Sequence, residues 1–172
     1  MSSSSSNKLI VRRVNRLTER EIKRVLEIAS ECHLSKWSKP DYQNEPARAG
    51  SFFLVAETEN IVEGFLTARI VGLTVPEADL LNLGVSVRRR NCGVGEQLLA
   101  GLLRELHLTE VGAVWLEVRV SNENAVRFYS ARGFQIIQTR KNFYSNPLEN
   151  AFVMKLELEK IASEDGERDR VR

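Results

Sequence analysis

Residues 8–159 carry apolar side chains in two rhythms, one of period two and one of period 3.6, and each change of rhythm predicts a change of element. Residues 9–14 read as a first strand. Thr18 and Glu21 then form a Thr-x-x-Glu capping box ahead of Ile22, Val25, Leu26 and Ala29 at helical spacing, which predicts a helix. Residues 37–49, broken by Pro40 and Pro46, read as a short second helix between loops, placed to line a substrate entrance. Residues 51–57 and 61–70 are strand-like runs around the turn-forming Thr58, Glu59 and Asn60, as in an antiparallel hairpin, and 80–87 extends the sheet. From Gly93 the period lengthens, and Leu98, Leu99, Leu102, Leu103 and Leu106 form the apolar stripe of a helix ending near His107. Residues 114–120 return to strand, 124–132 form a short helix closed by Gly133, and 134–139 and 151–158 are the last strands. The order β-α-α-β-β-β-α-β-α-β-β is that of an α/β domain of the α+β kind, without internal repeats.

Composition narrows this picture. At 172 residues and 42% apolar content the chain holds one well-buried core and is too short for two comfortable domains. The serine-rich residues 1–7 and the charged residues 160–172 lack apolar side chains to bury, so both ends are expected to be disordered around a single domain at 8–159. No apolar run reaches the roughly 18 residues of a membrane helix, and no apolar stretch follows the start, which predicts a soluble, cytoplasmic protein without a membrane partner. Cys32 and Cys92 lie far apart with no Cys/His cluster, so neither a disulfide framework nor a metal site is expected. A net charge of +2 excludes little; the one dense basic run, Arg88, Arg89 and Arg90, is short and lacks interleaved aromatics, which argues against nucleic acid.

Just after that run, Arg90, Asn91, Cys92, Gly93, Val94 and Gly95 fit R-x-x-G-x-G between a strand and the leucine-striped helix. Glycines admit a close ligand, and the free N–H groups and dipole of a helix start favour an anion such as a pyrophosphate. A tight strand-to-helix turn explains the same two glycines, and Arg88 and Arg89 serve equally as outer phosphate contacts or as solvated surface. The segment is neither a Walker loop, lacking Gly-Lys-Ser/Thr, nor a dinucleotide fingerprint.

Two segments together resemble the GNAT superfamily of acetyltransferases: Leu80-Leu-Asn-Leu-Gly-Val-Ser-Val87 followed by R-x-x-G-x-G, and Trp115-Leu-Glu-Val-Arg119 followed by Ser121 and Asn122. Continued through Ala125, Phe128, Tyr129, Gly133 and Phe134, the second segment is similar to the bacterial ribosomal-protein alanine N-acetyltransferases, which modify the N-terminal alanine of a small-subunit ribosomal protein. Residues 140–144, 149–151 and 153–156 look like that subgroup's C-terminal end. Before Leu80 the likeness is general, resting on element order and on Trp37 and Ser38. The resemblance implies a mixed, mostly antiparallel sheet with helices on both faces, splayed where acetyl-CoA binds. It also implies that backbone groups of Leu83, Gly84 and Val85 hold the acetyl and pantetheine portion. Arg90, Asn91, Gly93, Val94 and Gly95 would hold the pyrophosphate, and Asn122 would touch the cofactor beside the helix bearing Tyr129.

Amine acetylation requires a neutral amine, donors for the oxyanion and a proton for the departing thiolate. An α-amino group with pKa near 8 is about one-tenth neutral at pH 7, against well under a thousandth for a lysine near 10.4, a gap of roughly 3 kcal/mol. An N-terminal acetyltransferase can therefore work with a modest base acting through water. Alternation turns Val114, Leu116, Val118 and Val120 one way and leaves Trp115, Glu117 and Arg119 opposite, a pattern that by itself describes a solvated face. The resemblance makes Glu117 the general base, with Arg119 expected either to pair with it or to face solvent. Tyr129, as a protonated phenol, is the expected general acid, although alone it reads equally as packing beside Phe128. Cys92 has no base placed by sequence and reads as a bystander. Trp37, Asn142, Phe143 and Tyr144 are candidate walls of an acceptor groove on exposed loops. The acceptors expected are a protein N-terminus, as on a ribosomal protein, or alternatively a lysine side chain or small amine; a non-catalytic acyl-CoA-binding module would have no use for Glu117 and Tyr129.

Overall fold

A computed structural model describes residues 8–34, 37–72 and 74–159; the expectations for residues 1–7 and 160–172 lie outside them. Strand β1 (Ile10–Arg13) is followed by helix α1 (Glu19–Glu31), whose capping box forms: Thr18 Oγ1 accepts from Glu21 N–H at 3.3 Å and Glu21 Oε2 accepts from Thr18 N–H at 2.7 Å. Helix α2 (Lys39–Asn44) begins at Ser38 with Pro40 in its first turn and passes into a 3₁₀ turn, Glu45–Ala47, around Pro46. Strands β2 (Ser51–Thr58), β3 (Ile61–Val71) and β4 (Glu77–Val85) form a meander, after which a 3₁₀ turn (Val87–Arg89) leads into α3 (Val94–Leu106). Strand β5 (Ala113–Arg119), helix α4 (Glu123–Ser130) and the hairpin β6 (Gln135–Ser145) and β7 (Leu148–Glu157) complete the chain.

The seven strands form one sheet in the order β1-β2-β3-β4-β5-β7-β6, antiparallel everywhere except at β4–β5. On one face, Leu98, Leu99, Leu102 and Leu106 of α3 pack over Phe52, Leu54, Leu66, Leu80, Val114 and Leu116, and Tyr129 of α4 joins this layer. Each such buried side chain contributes about 1.5–3 kcal/mol relative to exposure. On the other face, Ile22, Val25 and Ile28 of α1 pack with Tyr42, Phe53, Val55 and Phe65. Strand β2 is covered on both faces and is buried along nearly its whole length, whereas β5 alternates because helices cover one face of it.

The element order is as predicted, with two corrections. The fourth strand begins at Glu77 rather than Leu80 and stops at Val85, because Val87 turns into the 3₁₀ segment and gives its N–H to Glu31 Oε2 at 2.9 Å. Residues 140–145, expected as loop, belong to β6, which pairs Arg140 with Ala151 and Tyr144 with Glu149. Three residues of β6 thus lie opposite one residue of β7, Asn150, a bulge in which Asn142 takes φ 52° and donates its N–H to Asn150 Oδ1 at 2.9 Å.

Candidate active site

Strands β4 and β5 share two rungs, Ala78 with Val114 and Asp79 with Trp115, and then diverge. Beyond that point the facing edges of both strands carry backbone groups without a ladder partner between them, along residues 83–85 of β4 and beside Glu117 of β5. The splay that the sequence resemblance implied is therefore present, with Leu83, Gly84 and Val85 on its β4 side. Gly84 has a packing reason as well: a Cβ there would sit 3.0 Å from Ile28 Cγ2 and from Phe65 Cε1, so α1 lies directly against this strand.

Glu117 projects from β5 on the face away from α3 and α4, and its side chain is 37% exposed. Its partner is Arg140, whose Nη1 lies 2.5 Å from Glu117 Oε1. The alternative pairing with Arg119 does not occur. Arg119 instead binds Glu149 Oε2 at 3.0 Å, donates to the carbonyls of Asn146 and Pro147, and lies 4.1 Å over the Tyr144 ring. Glu149 also accepts the Ser121 N–H at 2.7 Å, which with Arg119 holds its carboxyl below the ordinary range. The β6 bulge matters here. Arg140 and Tyr144 are four positions apart in sequence, yet they face β7 residues two apart, so they stand about 7 Å apart along the strand instead of about 13 Å. Both then reach Glu117, Arg140 at the carboxylate and Tyr144 Oη at the backbone carbonyl, 3.4 Å away.

Tyr129 lies on the opposite face. It is 7% exposed, with Phe128 and Phe134 edge-on at centroid distances of 5.1 and 5.4 Å. Burial raises its pKa, and Tyr144 raises it further, so the phenol stays protonated well above neutral pH. Tyr144 is itself raised, chiefly by burial and then by Glu117 and Glu149 against the opposing Arg119. Glu117 and Tyr129 thus lie on opposite faces of the sheet, with Tyr144 electrostatically linked to both.

At the start of α3, Gly93 is the N-cap residue at φ 78°, no side chain caps the helix, and nothing lies within 4 Å of where a Cβ would be. Open space over uncapped N–H donors suits the pyrophosphate of acetyl-CoA. Asn91 also takes a left-handed φ, 57°, while Val94 is buried and anchors the helix. Gly95 differs from Gly93: a Cβ there would meet the Phe128 ring at 3.5 Å, an ordinary contact. The Arg90 guanidinium turns towards the end of α1, donating to Glu31 O at 3.0 Å, and Arg88 lies 3.8 Å from Glu63. Asn122 is the N-cap of α4, its Oδ1 accepting from Ala125 N–H at 3.1 Å. Cys92 is exposed at the motif and Cys32 donates to Val85 O at 3.3 Å. No group of metal-ligating side chains occurs among the described residues.

Of the expected groove residues, Trp37 packs tilted on Tyr42 at 5.1 Å, while Phe143, 38% exposed, lies beside Tyr144 and under Arg140. Asn142 forms the bulge. Two residues without a role in the sequence reading belong to this face: Arg140, and Asp79 at the last rung before the opening. Asp79 was assigned outside any strand, although its alternation with Ala78 and Leu80 marks it as facing the side of Trp115 and Glu117.

Residues 22–134 match the Acetyltransferase (GNAT) family. The [Ribosomal protein bS18]-alanine N-acetyltransferase of Haemophilus ducreyi is 32% identical over 148 residues, 84% of this chain and 99% of that protein. Its counterpart in Haemophilus influenzae is 34% identical over 138 residues, 78% of this chain and 90% of that protein. The crystal structure of the ribosomal-protein-S18-alanine N-acetyltransferase from Escherichia coli superposes with a TM-score of 0.74 at 26% identity, covering 92% of this chain and 98% of that one. The matched segment contains the splayed strands, the uncapped α3 turn, Glu117 and Tyr129, and the chain belongs to the GNAT family as an acetyl-CoA-dependent N-acetyltransferase.

Proposed function

We propose that this enzyme acetylates the N-terminal amine of a protein, with the N-terminal alanine of a small-subunit ribosomal protein as natural acceptor, and that Glu117 is the general base and Tyr129 the general acid. The observation that supports the reading is that these two groups lie on opposite faces of the sheet, Glu117 beside the β4–β5 opening. Acetyl-CoA supplies the thioester carbonyl that the amine attacks. From the face of β5, Glu117 meets an amine entering between α2 and the β6–β7 hairpin and takes its proton directly or through water. From the α4 side, the Tyr129 phenol, kept protonated by burial, gives a proton to the leaving sulfur. The backbone N–H groups of residues 83–85 are the donors suited to the developing oxyanion, and the α3 turn to the pyrophosphate.

The acceptor class is supported by the relatives' names and by the charges on this face. Glu45 is bound by Arg69 at 2.6 Å, Glu77 lies 4.0 Å from Lys155, and Glu117 is bound by Arg140. A polycation would require an open acidic channel, whereas these carboxylates are already matched. A single terminal ammonium fits better. The test is coenzyme A release with a peptide bearing a free N-terminal alanine, the same peptide with its terminus blocked, and each again with Glu117→Gln. Turnover confined to the free terminus and strongly reduced in the variant is expected; equal turnover of a blocked, lysine-containing peptide would move the acceptor to a side chain.

A further inference from the structure

We propose that Glu31, at the end of α1, is a positioning residue for acetyl-CoA: its carboxylate holds the turn between β4 and α3 in the shape that aims the start of α3 at the pyrophosphate. The proposal rests on the reading above that the α3 start takes the pyrophosphate. Residues 86–93 have little ladder of their own, since β4 ends at Val85, only a short 3₁₀ turn follows, and both Asn91 and Gly93 take left-handed φ. The turn is fastened to Glu63 of β3, whose carbonyl accepts the Ser86 N–H at 2.9 Å, and to α1. Glu31 Oε2 accepts the Val87 N–H at 2.9 Å, and Arg24 Nη2 donates to Ser86 Oγ at 2.8 Å while its Nη1 lies 3.6 Å from Glu31 Oε1. Just past the 3₁₀ turn, Arg90 Nη2 donates to the Glu31 backbone carbonyl at 3.0 Å. The last carbonyls of a helix lack partners within it. Those of Ile28, Ala29 and Ser30 accept from Cys32, Leu34 and His33, and that of Glu31 takes Arg90, a cation at the negative end of the helix dipole.

Positioning and charge have opposite signs here. By charge alone, a carboxylate beside a phosphate site weakens the binding of an anion, and the Arg24 that faces Glu31 lies closer to Glu27, at 2.9 Å. As an anchor, Glu31 acts the other way. A turn that is already fixed does not have to be ordered when the ligand arrives, so its donors bind more tightly. One hydrogen bond to a carboxylate that is 32% exposed corresponds to about five- to tenfold in Kd. A negative side chain therefore strengthens the binding of a negatively charged donor.

The experiment is calorimetric titration of the wild type, Glu31→Ala and Glu31→Gln with acetyl-CoA and with S-acetylpantetheine, a donor without the pyrophosphate. Steady-state kinetics with a free-terminus alanine peptide and thermal unfolding accompany it. Glu31→Ala is expected to raise Kd and KM for acetyl-CoA about five- to tenfold at unchanged kcat, and to leave S-acetylpantetheine unaffected. Glu31→Gln keeps an oxygen that accepts the Val87 N–H and is expected to stay within about twofold of the wild type. Unchanged or tighter acetyl-CoA binding by Glu31→Ala, an equal loss with the truncated donor, or an equal loss in Glu31→Gln overturns the proposal and leaves the pyrophosphate assignment standing. A wild type that binds S-acetylpantetheine as tightly as acetyl-CoA overturns both. The titration needs no acceptor, so it decides the role of Glu31 even where no peptide is turned over. If Glu31→Ala fails to fold, Glu31→Met, of similar size and without an oxygen acceptor, carries the same comparison.

Discussion

Gly84 and Gly95 both lie in the region expected to hold acetyl-CoA, yet the packing around them predicts opposite responses to an added methyl group. At Gly84 the new Cβ would stand 3.0 Å from Ile28 Cγ2, 3.0 Å from Phe65 Cε1 and 3.1 Å from Leu34 Cδ1. Ile28 and Phe65 are fully buried, so accommodating the methyl group requires these packed neighbours to shift by a few tenths of an ångström. Overpacking of this kind costs about 1–3 kcal/mol. For a chain of this length each kcal/mol lowers Tm by about 2–4 °C, so Gly84→Ala is expected to melt roughly 2–12 °C lower. At Gly95 the nearest atoms are the Phe128 ring at 3.5 Å, and the residue lies within α3, where alanine is favoured over glycine by about 0.8–1 kcal/mol. Gly95→Ala is therefore expected to keep or raise Tm, its methyl group packing against the Phe128 ring and Leu83. Thermal unfolding of both variants, followed by circular dichroism, separates the two cases. An unchanged Tm for Gly84→Ala, or a drop in Gly95→Ala equal to that in Gly84→Ala, would refute the division into a close-packed glycine and one with room for a methyl group.

Arg140→Ala removes a half-exposed ion pair, so stability should change by under about 1 kcal/mol, while kcat falls because Glu117 loses the cation that orients it; an unaltered kcat would detach Arg140 from the chemistry. Tyr129→Phe is expected to leave Tm within a few degrees and to lower kcat by about 10²–10⁴, read by single-turnover coenzyme A release. Since burial raises the Tyr129 pKa, its ionisation should cause no alkaline loss of wild-type activity below about pH 10; a limb near 9 that vanishes in Tyr129→Phe would contradict this. Thr18→Ala removes the Oγ1 half of the α1 capping box, leaving the backbone N–H of residue 18 on Glu21, and should cost about 1 kcal/mol, measured by urea denaturation at unchanged m.

What could be read from the sequence was whatever rests on local periodicity. The α3 leucine stripe, the Thr18 box and the β5 alternation each depend on side chains a few residues apart, and each is found as expected. The partner of Glu117 was not legible, because Arg119 and Arg140 are equally basic and a β6 bulge decides which one arrives. That bulge also turned residues 140–144 from apparent loop into strand, since Asn142 at a left-handed φ is a turn signal in isolation. Asp79 was missed through a boundary: beginning the fourth strand at Leu80 left the carboxylate outside the alternation that gives its direction. The acidic residues of Glu77-Ala78-Asp79-Leu80, alternating with apolar ones, were the available signal.

The two rungs between β4 and β5 divide the sheet into a four-stranded block and a three-stranded block. The two blocks also share one buried cluster, in which Leu98, Leu102 and Leu106 of α3 occur with Val114 and Leu116 of β5 and Met154 of β7. A ligand lying in the opening meets the bare edges of both strands and takes the place of the missing rungs. The donor is then a temporary strand. Its arrival would bridge the two blocks, and its departure as coenzyme A would reopen the seam.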